Sequence, residues 1–358
     1  MEATSDPPRR ATFATPAFPD TPDAEDPEMA HRITTEPHGD RTVYTLHDDE
    51  TGASASVLPS YGFNLFDLKL PVAGQPRAVL ACAPDFADKP SSPGRNGIPV
   101  LFPFPNRIKD AKYTFQGKEY KLPANSGANA IHGFALNVPW DVVAQSTDGG
   151  AAKITGRYQI SRNTPNLLEH WPADAALEIQ YALAGRKLTM TVSVSNPTDR
   201  DLPYGFGIHP YFNCPFSAQG DLTRTNVEIP ASEYWELDSF IPTGVRKPVD
   251  ARLDFRKGHP MAGLKLDDVL TGLEFTNGTC VCRLVDLELG GEFRMSFDRN
   301  IRELVVFTPP WYRNAIAIEP YTQATDAVNL TSRGVDGGLR VLPHGKTDTF
   351  VIQFETTG

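Results

Sequence analysis

Residues 186–196, RKLTMTVSVSN, alternate apolar and polar side chains over the full length of a strand. Leucine, methionine and two valines take every second position, and threonines and serines take the positions between them. A period of two places the apolar set on one face of a β-strand. The stretch therefore predicts a half-buried strand with one face on a hydrophobic core.

The neighbouring segments extend this strand into an antiparallel sheet. Residues 175–185, AALEIQYALAG, alternate as well, and Gly185 followed by Arg186 predicts a hairpin turn between the two strands. Further strand-like segments follow: VEIP, CVCRLVDLEL, EFRMSFD, ELVVFTP, NAIAIEP and TFVIQFET. Regularly spaced strands without a long amphipathic helix predict an all-β sandwich or barrel. We expect one large antiparallel β domain with few short helices over residues 41–358.

Residues 1–40 have a different composition. They are rich in Pro, Asp, Glu, Thr and Ala and poor in periodic apolar residues, which is typical of a poorly ordered tail or arm. The first ten residues, MEATSDPPRR, contain no apolar signal-peptide core, and no run approaches the roughly 18 apolar residues of a membrane span. We expect a cytoplasmic protein that does not contact membranes.

Charge and cysteine content exclude several classes of partner. The formal net charge is -10, which disfavours binding to nucleic acid or anionic membranes by bulk electrostatics. The four cysteines fit neither a disulfide framework nor a two-pair zinc site. Cys280 and Cys282 would share one strand face, where buried thiols are a simpler interpretation than a metal site. We therefore expect no cysteine-bound metal.

Two proline- and glycine-containing segments in the first half of the chain concentrate polar groups beside strands. In residues 97–108, GIPVLFPFPNRI, the prolines exclude a regular central strand and predict a stiff loop that presents Asn106 and Arg107. The guanidinium fork of Arg107 suits hydroxyl or carboxylate recognition. His132 follows in NAIHGF, before a glycine that permits close backbone approach. A structural ion pair and a core hydrogen bond are the alternatives for these two side chains.

Two later segments contain candidates for proton transfer. In residues 204–213, YGFGIHPYFN, aromatic side chains surround His209, and such walls suit the C–H faces of a sugar. In residues 314–330, NAIAIEPYTQATDAVNL, Glu319 ends an apolar strand. Burial there would raise its pKa toward the range of a general base. A packed histidine and an ion-paired or capping glutamate are the structural alternatives.

Taken in order, six segments resemble the aldose 1-epimerase (mutarotase) family, the galactose mutarotase-like proteins. The matching segments are FPFPNRI, YTFQGKEYKLPAN, HGFALNVPW, GFGIHPYFN, LDDVLTGL and AIEPYTQATDAVNL. They are spread over roughly residues 42–355. The resemblance implies a β-supersandwich, a monosaccharide as the small-molecule partner, and chemistry without a metal or nucleotide. We expect a monomer or a homodimer.

The resemblance also implies a role for each candidate residue. These roles are Glu319 as general base, His209 as general acid, and Arg107, His132 and Asp267 as ligands of sugar hydroxyls. We expect Asn106, which the same stiff loop presents, to bind the substrate as well. Asp268 is adjacent to Asp267 and is an alternative sugar ligand. Trp311 either stacks on the sugar or packs at the surface.

The expected reaction is interconversion of the α and β anomers of a free aldohexose such as glucose or galactose. One alternative is a mutarotase of a phosphorylated hexose, which would need basic side chains near the pocket, with Lys109, Lys112 and Arg313 as candidates. Another alternative is a non-catalytic sugar-binding protein on the same fold. The presence of both His209 and Glu319 favours catalysis, because binding alone does not require an acid and a base.

Overall fold

A computed structural model of the protein describes residues 30–217 and 219–358, and β-strands dominate its regular structure. The strands of the first part are β1 (His31–His38), β2 (Arg41–Asp48), β3 (Ala53–Leu58), β4 (Asn64–Val72), β5 (Gln75–Ala78), β6 (Val100–Leu101), β7 (Arg107–Ile108), β8 (Lys112–Phe115), β9 (Lys118–Lys121), β10 (Ala130–Ile131), β11 (Asp141–Ser146), β12 (Ala152–Gln159), β13 (Ala176–Ala184) and β14 (Lys187–Ser195).

The strands of the second part are β15 (Leu202–Tyr204), β16 (Gly207–Ile208), β17 (Tyr211–Asn213), β18 (Thr225–Glu228), β19 (Ala231–Asp238), β20 (Ile241–Pro248), β21 (His259–Pro260), β22 (Asp267–Leu273), β23 (Thr279–Asp286), β24 (Gly291–Asp298), β25 (Glu303–Phe307), β26 (Ala315–Tyr321), β27 (Arg340–Leu342) and β28 (Thr347–Thr357). The α-helices are short, α1 (Ile160–Asn163) and α2 (Ala327–Ser332). Short 3₁₀ helices cover Pro93–Arg95, Lys109–Ala111, Pro165–His170 and Leu222–Arg224.

Three large sheets organise these strands. A five-stranded sheet has the order β1-β2-β3-β4-β5, and a nine-stranded sheet has the order β11-β12-β13-β14-β28-β24-β23-β18-β21. An eight-stranded sheet has the order β20-β19-β22-β25-β26-β16-β6, with β17 also paired to β26. The strands of these sheets pair antiparallel. The predicted all-β antiparallel fold with few short helices is confirmed.

The β13–β14 hairpin has the turn and the burial pattern that the sequence predicts. Ala184 pairs with Lys187, so that Gly185 and Arg186 form the turn, and Gly185 has a φ of 58°. The polar side chains of β14 are partly exposed, and its alternate apolar side chains are buried. The buried set is Leu188, Met190, Val192 and Val194.

The main hydrophobic core connects the nine-stranded and eight-stranded sheets. Strand β28 lies between β14 and β24, and its inward side chains Phe350, Ile352 and Phe354 are buried. They belong to one hydrophobic cluster with Ile316 and Ile318 of β26. The alternation of β26 therefore directs its isoleucines into this core.

Strand β26 is also covered on its opposite face. Every residue from Ala315 to Tyr321 is buried. Ala317 packs in a small cluster away from the main core, and Tyr321 packs in another. Glu319 lies between these two residues on the same face, because alternate residues of a strand share a face. This second buried layer is where the candidate site lies.

The start of the folded chain differs from the sequence prediction. Residues 31–38 were expected to lie in a poorly ordered tail, but they form β1, which pairs with β2 from His31 opposite Asp48 to His38 opposite Arg41. An edge strand with mixed exposure lacks the apolar alternation of a core strand. For this reason the composition of residues 31–38 did not indicate a strand. The remaining tail, residues 1–29, lies outside the described residues.

Within the described ranges, the helices are too short or too polar to cross a lipid bilayer.

Candidate active site

The predicted acid and base lie side by side on the second face of the eight-stranded sheet. Strands β16 and β17 both pair with β26, and His209 lies in the break between them. Tyr211 pairs with Ala317, and the same antiparallel register brings His209 opposite Glu319. Side chains at opposite positions of an antiparallel pair lie on one face within contact distance. The Nε2 atom of His209 is 3.2 Å from Oε1 of Glu319.

Glu319 is enclosed by protein and held by one hydroxyl group. Glu319 is only 1% exposed. The hydroxyl of Tyr321 donates a hydrogen bond to its Oε2 atom. Gly207 lies opposite Tyr321, and a Cβ at position 207 would come within 2.3 Å of the Tyr321 ring. Glycine at this position therefore makes room for the ring. Burial raises the pKa of Glu319 well above its ordinary value, and the hydrogen bond from Tyr321 opposes this shift.

His209 is held by a second tyrosine. The ring of Tyr211 stacks on the imidazole with centroids 4.7 Å apart, and its hydroxyl oxygen is 3.3 Å from Nε2. That hydroxyl donates its hydrogen to the carbonyl of Gly94 at 2.5 Å, so its oxygen is left to accept from Nε2 of His209. This arrangement favours a proton on Nε2, the atom that also faces Glu319.

The two groups form a coupled pair. Burial lowers the pKa of His209 well below its ordinary value, and the nearby His132 lowers it further. Burial thus disfavours an isolated charge on either His209 or Glu319. One proton on the pair leaves it neutral overall, either as an ion pair or as two uncharged groups. Moving that proton across the 3.2 Å contact converts one form into the other.

The two loop motifs of the first half of the chain meet at one edge of this site. Strands β7 and β10 pair with Arg107 opposite Ile131, which places His132 beside the Arg107 segment. The backbone N–H of His132 donates to the carbonyl of Asn106 at 3.0 Å. The Oδ1 atom of Asn106 accepts from Nη1 of Arg107 at 3.1 Å. The guanidinium is therefore anchored by a neighbour on its own loop.

These loops have backbone conformations that most residues avoid. Asn106 and His132 have φ angles of 53° and 67°, in the left-handed region. A Cβ at Gly133 would come within 2.2 Å of a backbone carbonyl oxygen, so only glycine fits there. Asp326 fastens the first loop, because its carboxylate accepts from the backbone N–H of Lys109 at 3.0 Å. Tertiary contacts thus hold a conformation that local preference disfavours.

All of the residues predicted for the site line one cavity of about 490 Å³. They are Asn106, Arg107, His132, His209, Asp267 and Glu319. Aromatic walls complete the cavity, including Phe307 and Trp311, and the latter is 38% exposed at the mouth. Burial lowers the pKa of His132 to about 3, so this side chain is uncharged at neutral pH. The cavity therefore combines aromatic surface with a few directed polar groups, as small-molecule sites do.

The structure separates the two adjacent aspartates. Asp268 binds Arg252 through two hydrogen bonds of 2.8 Å each. Asp267 lines the cavity and pairs across the sheet with Phe307. Of these two aspartates, Asp267 is therefore the one that a bound ligand can reach directly.

Sequence reasoning missed Tyr211 and Tyr321 as members of the site. Each follows a predicted catalytic residue by two positions, in His209-Pro-Tyr211 and Glu319-Pro-Tyr321. Because alternate strand residues share a face, this spacing was a usable signal. Arg95 was missed as well, and it lines the cavity from a separate 3₁₀ helix. Nothing in the local sequence around Arg95 indicates its position.

The basic residues considered for phosphate binding lie elsewhere. Among the described residues that line the cavity, Lys109, Lys112 and Arg313 are not found, and Arg313 lines a neighbouring cavity. Cys280 and Cys282 are buried on one face of β23, as predicted for small apolar side chains. In the described parts of the chain, no three His, Cys, Asp or Glu side chains are grouped to hold a metal ion.

Comparison with known sequences identifies relatives of this chain. The family model for aldose 1-epimerase matches residues 42–355. Rattus norvegicus galactose mutarotase is 31% identical over 154 residues, which are 42% of this chain and 43% of that protein. The uncharacterized protein YihR of Escherichia coli K12 is 29% identical over 172 residues, 47% of this chain and 52% of that protein. The chain thus spans about half the length of the curated relatives that it matches.

Solved structures show the same fold. A galactose mutarotase-like protein from Clostridium acetobutylicum superposes with a TM-score of 0.82 at 23% identity, over 92% of this chain and 99% of that chain. Galactose 1-epimerase from Lactobacillus acidophilus gives a TM-score of 0.70 at 17% identity, over 92% and 99% of the two chains. These likenesses confirm the predicted galactose mutarotase-like β-supersandwich. Because the family model covers most of its length, the chain belongs to the aldose 1-epimerase family.

Proposed function

We propose that this protein is an aldose 1-epimerase that interconverts the α and β anomers of a free aldohexose such as glucose or galactose. The observation that carries the proposal is the buried contact of 3.2 Å between Nε2 of His209 and Oε1 of Glu319, on the wall of a cavity of about 490 Å³. Family membership supports the same reaction class. The cavity is large enough for one monosaccharide.

The proposed reaction begins with ring opening. Glu319 takes the proton from the C1 hydroxyl while His209 donates its proton to the ring oxygen, and the bond between C1 and the ring oxygen breaks. The products of this step are the open-chain aldehyde, a protonated Glu319 and a neutral His209. Rotation about the C1–C2 bond presents the other face of the aldehyde, and the reverse transfers close the ring. Each positioned proton transfer accelerates such a step by roughly 10²–10⁴-fold.

The burial of the pair fits this cycle. The pair holds one proton before ring opening and one proton after it, so the net charge of the pair does not change. The raised pKa of Glu319 and the lowered pKa of His209 both favour the uncharged forms that ring opening produces. The hydrogen bond that Tyr321 donates stabilises the ionised carboxylate, which the reaction also needs. We infer that these opposing effects keep the two forms close in free energy.

The other cavity residues would bind the sugar. Arg107 and Asp267 offer a donor fork and an acceptor pair, His132 is an uncharged hydrogen-bonding group, and Asn106 fixes the position of Arg107. Trp311 offers a ring at the mouth of the cavity. The proposal requires no metal ion, nucleotide or macromolecular partner.

The test is mutarotation followed by polarimetry on freshly dissolved α-glucose and α-galactose. We expect Glu319→Gln and His209→Asn to fold and to slow the enzyme-dependent rate at least about 10²-fold, because each removes one proton transfer. Glu178→Gln is a matched control, since Glu178 lies on the partly exposed face of β13 and pairs with Arg157. Wild-type rates in either site variant would contradict the assignment. Sugar binding by the wild-type protein without any rate enhancement would favour a binding protein.

A second test concerns metal ions. We expect EDTA to leave the rate of the wild-type protein unchanged, because the proposed steps use only side-chain protons. Loss of activity in EDTA that is restored by one divalent cation would overturn this mechanism.

A further inference from the structure

One cationic side chain of the cavity has no part in the mechanism above. Arg95 lines the mouth, and its Cζ atom lies 4.3 Å from the ring centroid of Trp311. Stacking on an indole holds a guanidinium in place and leaves its N–H edges free to bind an acceptor. No carboxylate among the described residues lies within ion-pair distance of Arg95. The guanidinium is therefore fixed at the mouth without an anionic partner from the described chain.

The charges of the cavity do not balance. Arg95 and Arg107 are cationic, and Asp267 is anionic. The His209–Glu319 pair is neutral when it holds one proton, and His132 is uncharged at neutral pH. When the pair holds one proton, one positive charge in the cavity is thus uncompensated, in a chain whose formal net charge is -10. A neutral sugar would leave this charge unpaired, and an anionic sugar would pair with it.

The position of Arg95 indicates which part of a sugar it would meet. Gly94, the residue before Arg95, accepts the hydrogen bond from Tyr211, and Tyr211 stacks on His209. The ring of Trp311 lies 6.2 Å from that of Tyr211. Arg95 is therefore on the His209 side of the cavity. In the proposed mechanism His209 protonates the ring oxygen, which is bonded to C5, and C5 bears C6.

We propose that the site takes an aldohexose with an anionic group on carbon 6, a carboxylate or a phosphate, and that Arg95 binds this group. The inference rests on the proposed anomer interconversion, because the geometry of that reaction defines where carbon 6 lies, and it narrows the proposed substrate from glucose or galactose to a C6-anionic aldohexose. A guanidinium donates two parallel hydrogen bonds to a carboxylate or a phosphate, which gives both charge pairing and orientation. Arg95 is thus a specificity-determining residue for the same reaction.

The test compares three sugars by magnetisation-transfer NMR between their anomeric signals, which requires no pure anomer. The sugars are glucose, glucuronate and glucose 6-phosphate. We expect the wild-type protein to convert at least one anionic sugar with a kcat/KM about ten-fold or more above that for glucose. We expect Arg95→Gln to lower this ratio at least ten-fold, mainly through KM, because the contact exists in both ground and transition states. Arg95→Lys should restore part of the ratio, since it keeps the charge without the fork.

Arg313→Gln is the charge-matched control. It removes the same charge two positions from Trp311, but Arg313 lines a neighbouring cavity, so the ratio should stay within about two-fold of wild type. Preference for glucuronate identifies a carboxylate ligand, and preference for glucose 6-phosphate identifies a phosphate. No preference for an anionic sugar, or an unchanged ratio in Arg95→Gln, would overturn the inference.

Titration calorimetry separates this inference from the proposed function. Anomer exchange of glucose without anionic preference would leave the proposed function standing and would overturn the role of Arg95. Binding of glucuronate or glucose 6-phosphate that Arg95→Gln abolishes, without anomer exchange of any sugar, would overturn the proposed function and would support an anion site at Arg95. Absence of both exchange and binding would overturn both.

Discussion

Strands β14 and β26 differ in how many of their faces are buried. In β14, Leu188 and the alternate apolar residues are buried, and the residues between them are partly exposed. In β26, every residue is buried, and the face away from the main core contains Glu319. Both strands supply apolar side chains to the same core. Only β26 also has a second buried layer.

The comparison shows what the second layer does. A polar side chain on β14 keeps contact with water, so it does not pay the desolvation cost of burial. Glu319 on β26 has lost that contact, and burial raises its pKa well above the usual value. The burial that raises the pKa of this carboxylate also makes its ionised form unfavourable. Stability and reactivity should therefore respond differently to changes in the two strands.

The largest expected effect is on the stability supplied by β14. Leu188→Ala removes a fully buried side chain from the main core and should lower the free energy of unfolding by about 2–5 kcal/mol. Turnover per folded molecule should not change, because Leu188 is not in the site. Urea denaturation and polarimetry measure the two quantities. Thr189→Ala on the partly exposed face is the control and should stay within about 0.5 kcal/mol. An equal loss of unfolding free energy in both variants would contradict the assignment of one buried and one partly exposed face to β14.

The second effect is an increase in stability from Glu319→Gln. The folded-state pKa of Glu319 is raised, so wild-type stability falls as the pH rises above the unfolded-state pKa toward the folded-state value. Glutamine does not titrate, and the variant should gain stability relative to wild type over that window by up to about 1.4 kcal/mol per pH unit. Denaturation at pH 4, 6 and 8 measures the difference. A difference that shrinks with rising pH would contradict the desolvation of Glu319.

The smallest expected effect comes from Tyr321→Phe. The Tyr321 hydroxyl donates to Glu319 and lowers its pKa, so its removal should raise that pKa further. The pH at which the mutarotase rate rises should therefore increase. The rate at neutral pH should fall about ten-fold, which corresponds to the free energy of one hydrogen bond to a charged group. A pH–rate profile of kcat/KM measures this. A rate loss without a shift of the profile would show that Tyr321 only packs against the site.

The two strands also differ in how well the sequence predicted them. The face of each residue in β14 follows from local alternation, and the turn at Gly185 follows from residue type. The contact between His209 and Glu319 depends on the pairing of two segments that are far apart in sequence. Interactions between residues that are close in sequence do not determine that register. The sequence motifs indicated the two residues, and the structure supplied their distance.

Other parts of the site were not predictable from local pattern. Asp267 and Asp268 are identical in type, and they differ in that Asp268 pairs with Arg252 whereas Asp267 lines the cavity. Arg95 lines the cavity with its guanidinium stacked on Trp311, a contact between segments that are far apart in the sequence. Strand β1 gains its order from pairing with β2, although its own composition is that of a tail. In each case a long-range contact decides the outcome.

The place of β28 in the nine-stranded sheet has a consequence for synthesis of the protein. Its eleven residues lie between β14 and β24. They therefore connect the β13–β14 and β23–β24 hairpins, which lie in separate parts of the sequence. Until the ribosome has released Thr347–Thr357, β14 and β24 each present an unpaired edge. Before that point the two parts of the nine-stranded sheet have no strand that joins them. We therefore expect the complete sheet to form only after translation of β28, and slowly, because pairing between strands distant in sequence is slow.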